Sequence, residues 1–333
     1  MRTKHVTDQF PNALGVDDFL SRVEIALFEL GFDGANSIAM TNLCRDEVTA
    51  VLKTKIEEIF GASFNTNGLG GVLTCGVIGV KAGLSHSPQC KAGKDRYVFF
   101  SFPHIAIDSR GTVGNISRPG RPGPSAACGA LKGAQGLLAN GISANESKPG
   151  VHDESDPEFS IFKQRLVNRL KHEGVSEDAA KKIDLVELTK VAERAITADL
   201  EALISKAVDS SSADYAVVTG VQIHNWSDAD FNDQQPTMEF IYPSTIYAVI
   251  DGQPKSINLT GFPGLTPRQI NILAAGGTSA AGPHADFEPV CGVTTGNTTV
   301  RAVDVPYSHN DRSQRAGTSR NAKFYESELA GRK

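Results

Sequence analysis

Residues 97–111 read YVFFSFPHIAIDSRG, and this run decides the predicted fold. Its first half, Tyr97 to Phe102, is mostly aromatic with a β-branched valine, which is typical of a buried strand. Pro103 lacks a backbone N–H, so we expect the strand to end there. His104 then lies where a strand stops, and ligands and catalytic groups collect at strand ends in α/β sheets. The run therefore predicts an α/β protein with a site beside His104.

A carboxylate and a guanidinium follow His104 after four and six residues, at Asp108 and Arg110. This spacing indicates a functional site. A core histidine followed by a surface ion pair is an equally good interpretation of the run alone. Two cysteines on either side of the run, Cys75 and Cys128, favour the functional interpretation.

The bulk properties exclude several classes of protein. The 333 residues hold 33 Lys and Arg against 38 Asp and Glu, and no dense basic cluster stands among aromatic residues, so we do not expect nucleic-acid binding. No apolar run reaches the ~18 residues of a membrane span. The first five residues carry charge but no apolar segment, so we expect no secretory signal and predict the cytoplasm, or the chloroplast stroma if the source is an alga. The five dispersed cysteines favour a reducing compartment.

Apolar periodicity predicts helices flanking a sheet. We expect one domain over residues 16–306, preceded by an N-terminal arm (1–15) and followed by a polar C-terminal tail (307–333). Helices are predicted at 16–32, 43–60, 126–139, 157–172, 184–208 and 266–273, and strands at 72–80, 97–102, 215–226, 237–254 and 291–305. The predicted architecture is a single α/β domain with a central β-sheet flanked by helices.

The two cysteines fall at informative positions of this scheme. Cys75 lies in the predicted glycine-rich strand 72–80. Ser125 is a predicted N-cap that places Cys128 in the first helical turn, where the helix dipole lowers the pKa of a thiol. Cys44, on a predicted helix, is interpreted as a plain buried thiol.

Two thiolates, one imidazole and a water make a tetrahedral zinc site of the catalytic kind. Cys75, His104 and Cys128 each lie at the end of a predicted element in one third of the chain, so they are the predicted ligands. Asp108 would orient a zinc-bound water or hydroxide, and Arg110 would keep Asp108 ionised.

Three further residues are candidates for the surroundings of this site. Phe102, with its aromatic neighbours and the glycines, predicts a narrow apolar pocket for a small electrophile. His86 is either a proton shuttle or a residue that positions its loop. Arg118 lies in a proline-rich loop, where it either approaches the site or is a solvated surface charge.

Several further runs together carry a resemblance to a known family. The runs are Lys81 to Pro88, Arg96 to Ile105, Arg118 to Arg121, Ala127 to Leu131 and Gly220 to Trp226, with Gly76. They resemble the limiting-carbon-dioxide-inducible protein B/C family of algae and bacteria, which is similar to β-type carbonic anhydrases and is also called the θ class. The resemblance implies an α/β domain like that of the β-type carbonic anhydrases, Zn²⁺ and dimers.

The comparison with ordinary β-type carbonic anhydrases is partial. Their C-x-D-S-R run corresponds to Ala106 to Arg110, which lacks the cysteine, and their H-x-x-C-G run corresponds to Ser125 to Gly129, which lacks the histidine. Cys75 and His104 would have to supply the missing ligands. His86 and Cys90 stay open as alternatives.

These observations predict a zinc-dependent carbonic anhydrase that interconverts CO2 and bicarbonate through zinc-bound hydroxide oriented by an Asp–Arg pair. We expect a homodimer or a hetero-oligomer with a related subunit. Two alternatives stay open. One is a non-catalytic structural or CO2-sensing subunit of a carbon-concentrating complex, and the other is a zinc hydrolase of small esters or amides.

Overall fold

The computed structural model describes residues 2–88, 93–148, 150–227, 237–259, 292–295 and 298–301. The helices in this part of the chain are α1 (Arg2–Gln9), α2 (Val16–Glu29), α3 (Ala50–Phe60), α4 (Gly76–Leu84), α5 (Gly129–Leu138), α6 (Pro157–His172), α7 (Glu177–Lys181) and α8 (Leu185–Ala207). The strands are β1 (Leu14–Gly15), β2 (Ile38–Leu43), β3 (Ser63–Asn65), β4 (Asp95–Phe102), β5 (His104–Asp108), β6 (Asn115–Ile116), β7 (Ser125–Ala126), β8 (Ala213–Trp226), β9 (Met238–Ile250), β10 (Gln253–Asn258), β11 (Gly292–Thr295) and β12 (Thr298–Arg301).

Ten of these strands form one mixed sheet, in the order β12-β11-β10-β9-β8-β4-β2-β3, with β1 beside β9 and β5 beside β8. Strands β3, β2, β4 and β8 run parallel, whereas β9 to β12 continue the sheet antiparallel. Strands β6 and β7 form a separate hairpin. The predicted α/β fold, with a central sheet flanked by helices, is confirmed.

Strand β4 separates two hydrophobic cores because its side chains alternate between the faces of the sheet. Tyr97 and Phe99 point into a core shared with α4, α5, α6 and α8. Val98, Phe100 and Phe102 point into the opposite core, which α2 and α3 cover. The molecule is therefore built of three layers, with the sheet in the middle.

The chain does not leave the sheet at Pro103. The Pro103 carbonyl accepts a hydrogen bond from the backbone N–H of Gln222 at 2.9 Å, and β5 then continues parallel to β8 from His104 onward. His104 thus lies at a break between two strand segments. A proline carbonyl can still accept, which is why the ladder resumes so soon.

Most predicted helices are present. Helix α6 spans the predicted residues, and α8 begins after Asp184, whose carboxylate accepts a hydrogen bond from the Glu187 backbone N–H at 2.8 Å. The predicted helix 126–139 begins later, at Gly129, so that Cys128 is the N-cap residue and not a member of the first turn.

Two sequence predictions about local structure are wrong. The run 72–80 is not a strand, since α4 occupies Gly76–Leu84, and periodicity alone does not distinguish a short buried helix from a strand. The predicted helix 43–60 is also too long. Leu43 ends strand β2, and α3 begins only at Ala50, after a short 3₁₀ turn that Asp46 caps.

The predicted N-terminal arm carries α1, and Val6 in this helix and Phe10 directly after it are fully buried. The arm also carries β1, which pairs with β9. The predicted helix 266–273 and the tail 307–333 lie outside the described residues. Within the described part of the chain, no helix has the length and apolarity that crossing a membrane requires.

Candidate metal centre

Three buried residues bring metal-ligating atoms together. Cys44, His104 and Cys128 each offer one ligand atom, and these atoms all lie within 4.8 Å of one another. Cys44 directly follows β2, His104 opens β5, and Cys128 is the N-cap residue of α5. The described residues contain no other group of this kind.

The parallel pairing of β2 and β4 explains why these residues meet. Leu43 lies opposite Phe102, so Cys44 and His104 both emerge just beyond the same edge of the sheet. The carboxyl ends of parallel strands share an edge, where ligand sites are common. Cys128 reaches this edge from the hairpin β6–β7, and the Ala127 carbonyl accepts a hydrogen bond from the Ala106 N–H at 3.2 Å.

The spacing of the two sulfur atoms fits a zinc ion. The Sγ atoms of Cys44 and Cys128 are 3.7 Å apart. Two sulfurs that each lie ~2.3 Å from one tetrahedral zinc ion are separated by ~3.8 Å. His104 is fully buried, and its Nε2 atom has no hydrogen-bond partner among the described residues. A buried nitrogen without a partner is costly, and a cation bound at its lone pair would remove that cost.

The two thiols share a hydrogen bond, which shifts their pKa values in opposite directions. The hydrogen bond from Cys128, with a smaller contribution from His104, lowers the pKa of Cys44 despite burial, and the backbone N–H of Gly70 also donates to Cys44 Sγ at 3.2 Å. The same hydrogen bond and burial raise the pKa of Cys128 well above its ordinary value. Cys44 is therefore the more acidic thiol of the pair, and a cation bound between the two sulfurs would favour the thiolate form of Cys128 as well.

An ion pair lies beside the cluster. Asp46 Oδ2 is 3.8 Å from His104 Nε2, and Arg118 Nη2 donates to both carboxylate oxygens of Asp46, at 2.8 and 2.9 Å. Only 13% of the Asp46 side chain and 19% of the Arg118 side chain are exposed. A carboxylate held in this way keeps one orientation.

Arg118 is itself fixed by three further groups. Its Nε donates to Glu47 Oε1 at 2.5 Å, and its Nη1 donates to the Ser125 hydroxyl and to the Ala126 carbonyl, the latter at 3.1 Å. Burial lowers the pKa of Arg118, but the hydrogen bonds to Asp46 and Glu47 outweigh it and leave the pKa raised. The proline-rich loop therefore does bring Arg118 to the cluster.

Cys44, and not Cys75, completes the ligand group, so this member of the predicted set needs correction. Cys75 is the half-buried N-cap residue of α4, and burial raises the pKa of its thiol. Because 72–80 is not a strand that ends at the sheet edge, Cys75 does not emerge beside His104. The structure brings together the other two predicted ligands, His104 and Cys128.

Asp108 and Arg110 form the predicted ion pair, but as part of a tight turn. Asp108 accepts hydrogen bonds from the backbone N–H groups of Arg110 and Thr112, at 2.8 and 2.7 Å, and from Arg110 Nη2 at 3.1 Å. Asp108 lies four residues along β5 from His104, ~13 Å. The Arg110 side chain is 68% exposed. Their catalytic roles stay predictions.

The other candidates lie away from the thiols. Phe102 is fully buried against Phe19 in the core on the α2 and α3 side, whereas Cys44 and Cys128 belong to the opposite core. His86 is exposed and packs edge-on against Phe64, which pairs with Met40, four residues and ~13 Å before Cys44. Cys90 lies outside the described residues.

Sequence reasoning missed Cys44 and Asp46. The run Cys44-Arg45-Asp46 has the C-x-D spacing of the β-type carbonic anhydrase run, with Val48 where that run has its arginine. Asp46, a residue type that favours N-cap positions, was the available signal that helical structure begins only after it.

Comparison with known proteins decides the family. The model of the limiting CO2-inducible proteins B/C beta carbonic anhydrases matches residues 13–250, which include Cys44, His104 and Cys128. The chain belongs to this family. No protein with a curated description matches.

Solved structures of family members agree with this fold. The crystal structure of the limiting CO2-inducible protein LCIB is 51% identical, covers 78% of this chain and 99% of its own, and superposes with a TM-score of 0.65. PtLCIB4, a homolog of LCIB, is 22% identical, covers 75% of this chain and 96% of its own, and has a TM-score of 0.61. At this lower identity, the second match supports the fold alone.

Proposed function

We propose that the chain is a zinc-dependent carbonic anhydrase that interconverts CO2 and bicarbonate. The observation that carries the proposal is the buried group of Cys44, His104 and Cys128 with the Asp46–Arg118 ion pair beside it. Membership of a family described as β carbonic anhydrases supports the same activity.

Zinc is the cation that this donor set suits best. Soft thiolates and a neutral imidazole favour zinc over magnesium or calcium, which take oxygen ligands. Three protein ligands are the pattern of a catalytic site, whereas structural sites have four. When bound, zinc supplies a Lewis acid that lowers the pKa of a water molecule towards neutrality.

Asp46 is the residue that we propose to orient the nucleophile. Its carboxylate has only acceptor atoms, so it receives the O–H of the attacking water at Oδ2 and turns a lone pair of that water towards the carbon of CO2. Arg118 holds the carboxylate in this orientation through its two hydrogen bonds. Two thiolates cancel the charge of a divalent cation and make a water harder to ionise, so a fixed acceptor beside it is especially useful here.

The remaining expectations about the function stay predictions. These are the homodimer or hetero-oligomer, the compartment, the pocket role of Phe102 and the proton shuttle at His86. An exposed histidine is able to exchange protons with buffer, but His86 would need to approach a site ~13 Å or more away along β2.

Two asparagine variants test the role of Asp46. Asp46→Asn should keep zinc and lose CO2 hydration, because an amide does not replace the ionised acceptor. Asp108→Asn should keep both. Zinc per chain and stopped-flow hydration rates, measured on the same samples, decide between the two aspartates. Loss of activity in Asp108→Asn alone would favour the pair Asp108 and Arg110 instead.

A further inference from the structure

A buried series of polar side chains lies behind His104, on the side away from its Nε2 atom. His104 Nδ1 is 3.0 Å from His224 Nε2, and His224 Nδ1 is 3.0 Å from Glu239 Oε1. Gln222 Nε2 donates to Glu239 Oε2 at 3.2 Å. Both histidines and Gln222 are fully buried, and Glu239 is 9% exposed.

The series permits one arrangement of protons when both imidazoles are neutral. The Glu239 carboxylate only accepts, so His224 must carry its proton on Nδ1 and leave Nε2 as an acceptor. His104 must then carry its proton on Nδ1, which donates to His224. The lone pair of His104 consequently lies on Nε2, which has no hydrogen-bond partner among the described residues.

The backbone holds this series rigidly. His224 and Glu239 are opposite each other in the antiparallel pair β8–β9, and His104 pairs with Gln222, two residues before His224. Alternate residues of a strand share a face, so Gln222 and His224 both point towards the same side of the sheet. Groups on paired strands hold their geometry better than groups on loops.

We propose that His224 and Glu239 are positioning residues of the metal centre. Glu239 fixes the tautomer of His224, which fixes the tautomer and ring orientation of His104 and presents its Nε2 lone pair to the cation. Metal-ligating histidines commonly donate their second N–H to a carboxylate, and here a second histidine transmits that contact. The proposal rests on the proposed zinc site.

The test compares two buried glutamates. Glu239→Gln removes the charge that orders the series, since an amide can donate as well as accept. Glu193→Gln is the matched control: Glu193 is 5% exposed and accepts from the Thr197 and Thr219 hydroxyls at 2.8 and 2.9 Å, but it has no contact with the cluster. Zinc affinity is measured on each full-length protein by competition with a chromogenic chelator under reducing conditions.

Glu239→Gln should bind zinc roughly 10- to 100-fold more weakly than the wild type, and Glu193→Gln within about twofold of it. Equal zinc affinity of Glu239→Gln and wild type would overturn the inference while leaving the zinc site intact. An equal loss in both variants would overturn it too, by showing a general effect of buried charge. A wild type that binds no zinc would overturn the proposed function and this inference with it.

A second measurement does not depend on the folding of any variant. Long-range ¹H–¹⁵N correlation spectra of the zinc-free wild type, labelled with ¹⁵N at histidine, report which ring nitrogen carries the proton. We expect His104 and His224 both to be protonated on Nδ1. A proton on Nε2 of His104 would refute the proposed order of the series.

Discussion

Replacement of Arg118 by alanine tests which of two ion pairs contributes to activity. One is Asp46–Arg118, beside the cluster, and the other is Asp108–Arg110, which the sequence predicted. The change removes two hydrogen bonds to Asp46 and those to Glu47, Ser125 and Ala126. Asp46, whose side chain is 13% exposed in the wild type, loses the cation that it faces. Exposed ion pairs contribute up to about 1 kcal/mol and fully buried ones lose 3–5 kcal/mol when broken, so we expect Arg118→Ala to lose about 2–4 kcal/mol of unfolding free energy.

Arg110→Ala is the matched control. Asp108 keeps its two backbone N–H donors in this variant, and the lost side chain is 68% exposed. The expected loss is that of a surface pair, at most about 1 kcal/mol. Urea unfolding monitored by circular dichroism measures both changes.

Arg118→Ala and Arg110→Ala should differ more in CO2 hydration activity than in unfolding free energy. We expect CO2 hydration by Arg118→Ala to fall about 10²-fold or more, because Asp46 loses its fixed orientation, with zinc content unchanged. Arg118→Lys should recover little activity, since an ammonium does not reproduce the planar set of donors. Arg110→Ala should remain active. An active Arg118→Ala, or an inactive but stable Arg110→Ala, would refute the role given to Asp46.

Three other predictions concern the ligands, the response to acid and the Asp108 turn. Cys44→Ser should lose zinc measured by atomic absorption and Cys75→Ser should keep it, whereas the reverse result would restore the sequence-based ligand set. The hydrogen bond from Arg45 lowers the pKa of Glu158 below its ordinary 4.5, so Glu158→Gln should be less stable than the wild type above about pH 4.5. That difference in unfolding free energy should vanish as the pH falls through the lowered pKa of Glu158 in the folded state. An equal difference in urea unfolding above pH 4.5 and below that lowered pKa would contradict the prediction. Asp108→Asn should lose about 1–3 kcal/mol in the same assay, because backbone donors lose a charged acceptor, and no loss would show that the turn does not depend on it.

The sequence was sufficient for the fold class, most helices and two members of the cluster. Residues 97–102 carry a strong strand signal, and the packing helices α6 and α8 have clear periodicity and start signals. His104 was found because a proline marks the end of β4. Cys128 was found because a serine and a small-residue run precede a helix, although the helix begins one residue after the cysteine.

The second thiol was missed because Cys44 lies between strand β2 and helix α3, whose apolar residues form one continuous pattern in the sequence. The apolar residues of α3 extend in register back to Leu43, so the helix appeared to include Cys44. Strand β2 is buried throughout and shows no alternation that could have separated it from a helix. Asp46 and Arg118 are 72 residues apart in sequence, and only the three-dimensional fold brings them together.

The buried series of polar side chains behind His104 could not be predicted from the sequence either. The sequence does not connect His224 with His104, because the two histidines are 120 residues apart in the chain. Its partner Glu239 lies on the next strand, and the register of β8 with β9 places the two opposite each other. Such a register is set by packing along the whole strand pair and is not encoded in either residue.

Stopped-flow CO2 hydration by the purified wild type, from about pH 6.5 to 9, with zinc per chain measured on the same sample, tests whether the protein is a zinc carbonic anhydrase. We expect about one zinc per chain and a hydration rate that exceeds the buffer rate and rises with pH. One zinc without a rate above buffer would contradict the enzymatic claim and favour a structural or sensing subunit. A protein without zinc would contradict the ligand set of Cys44, His104 and Cys128 itself.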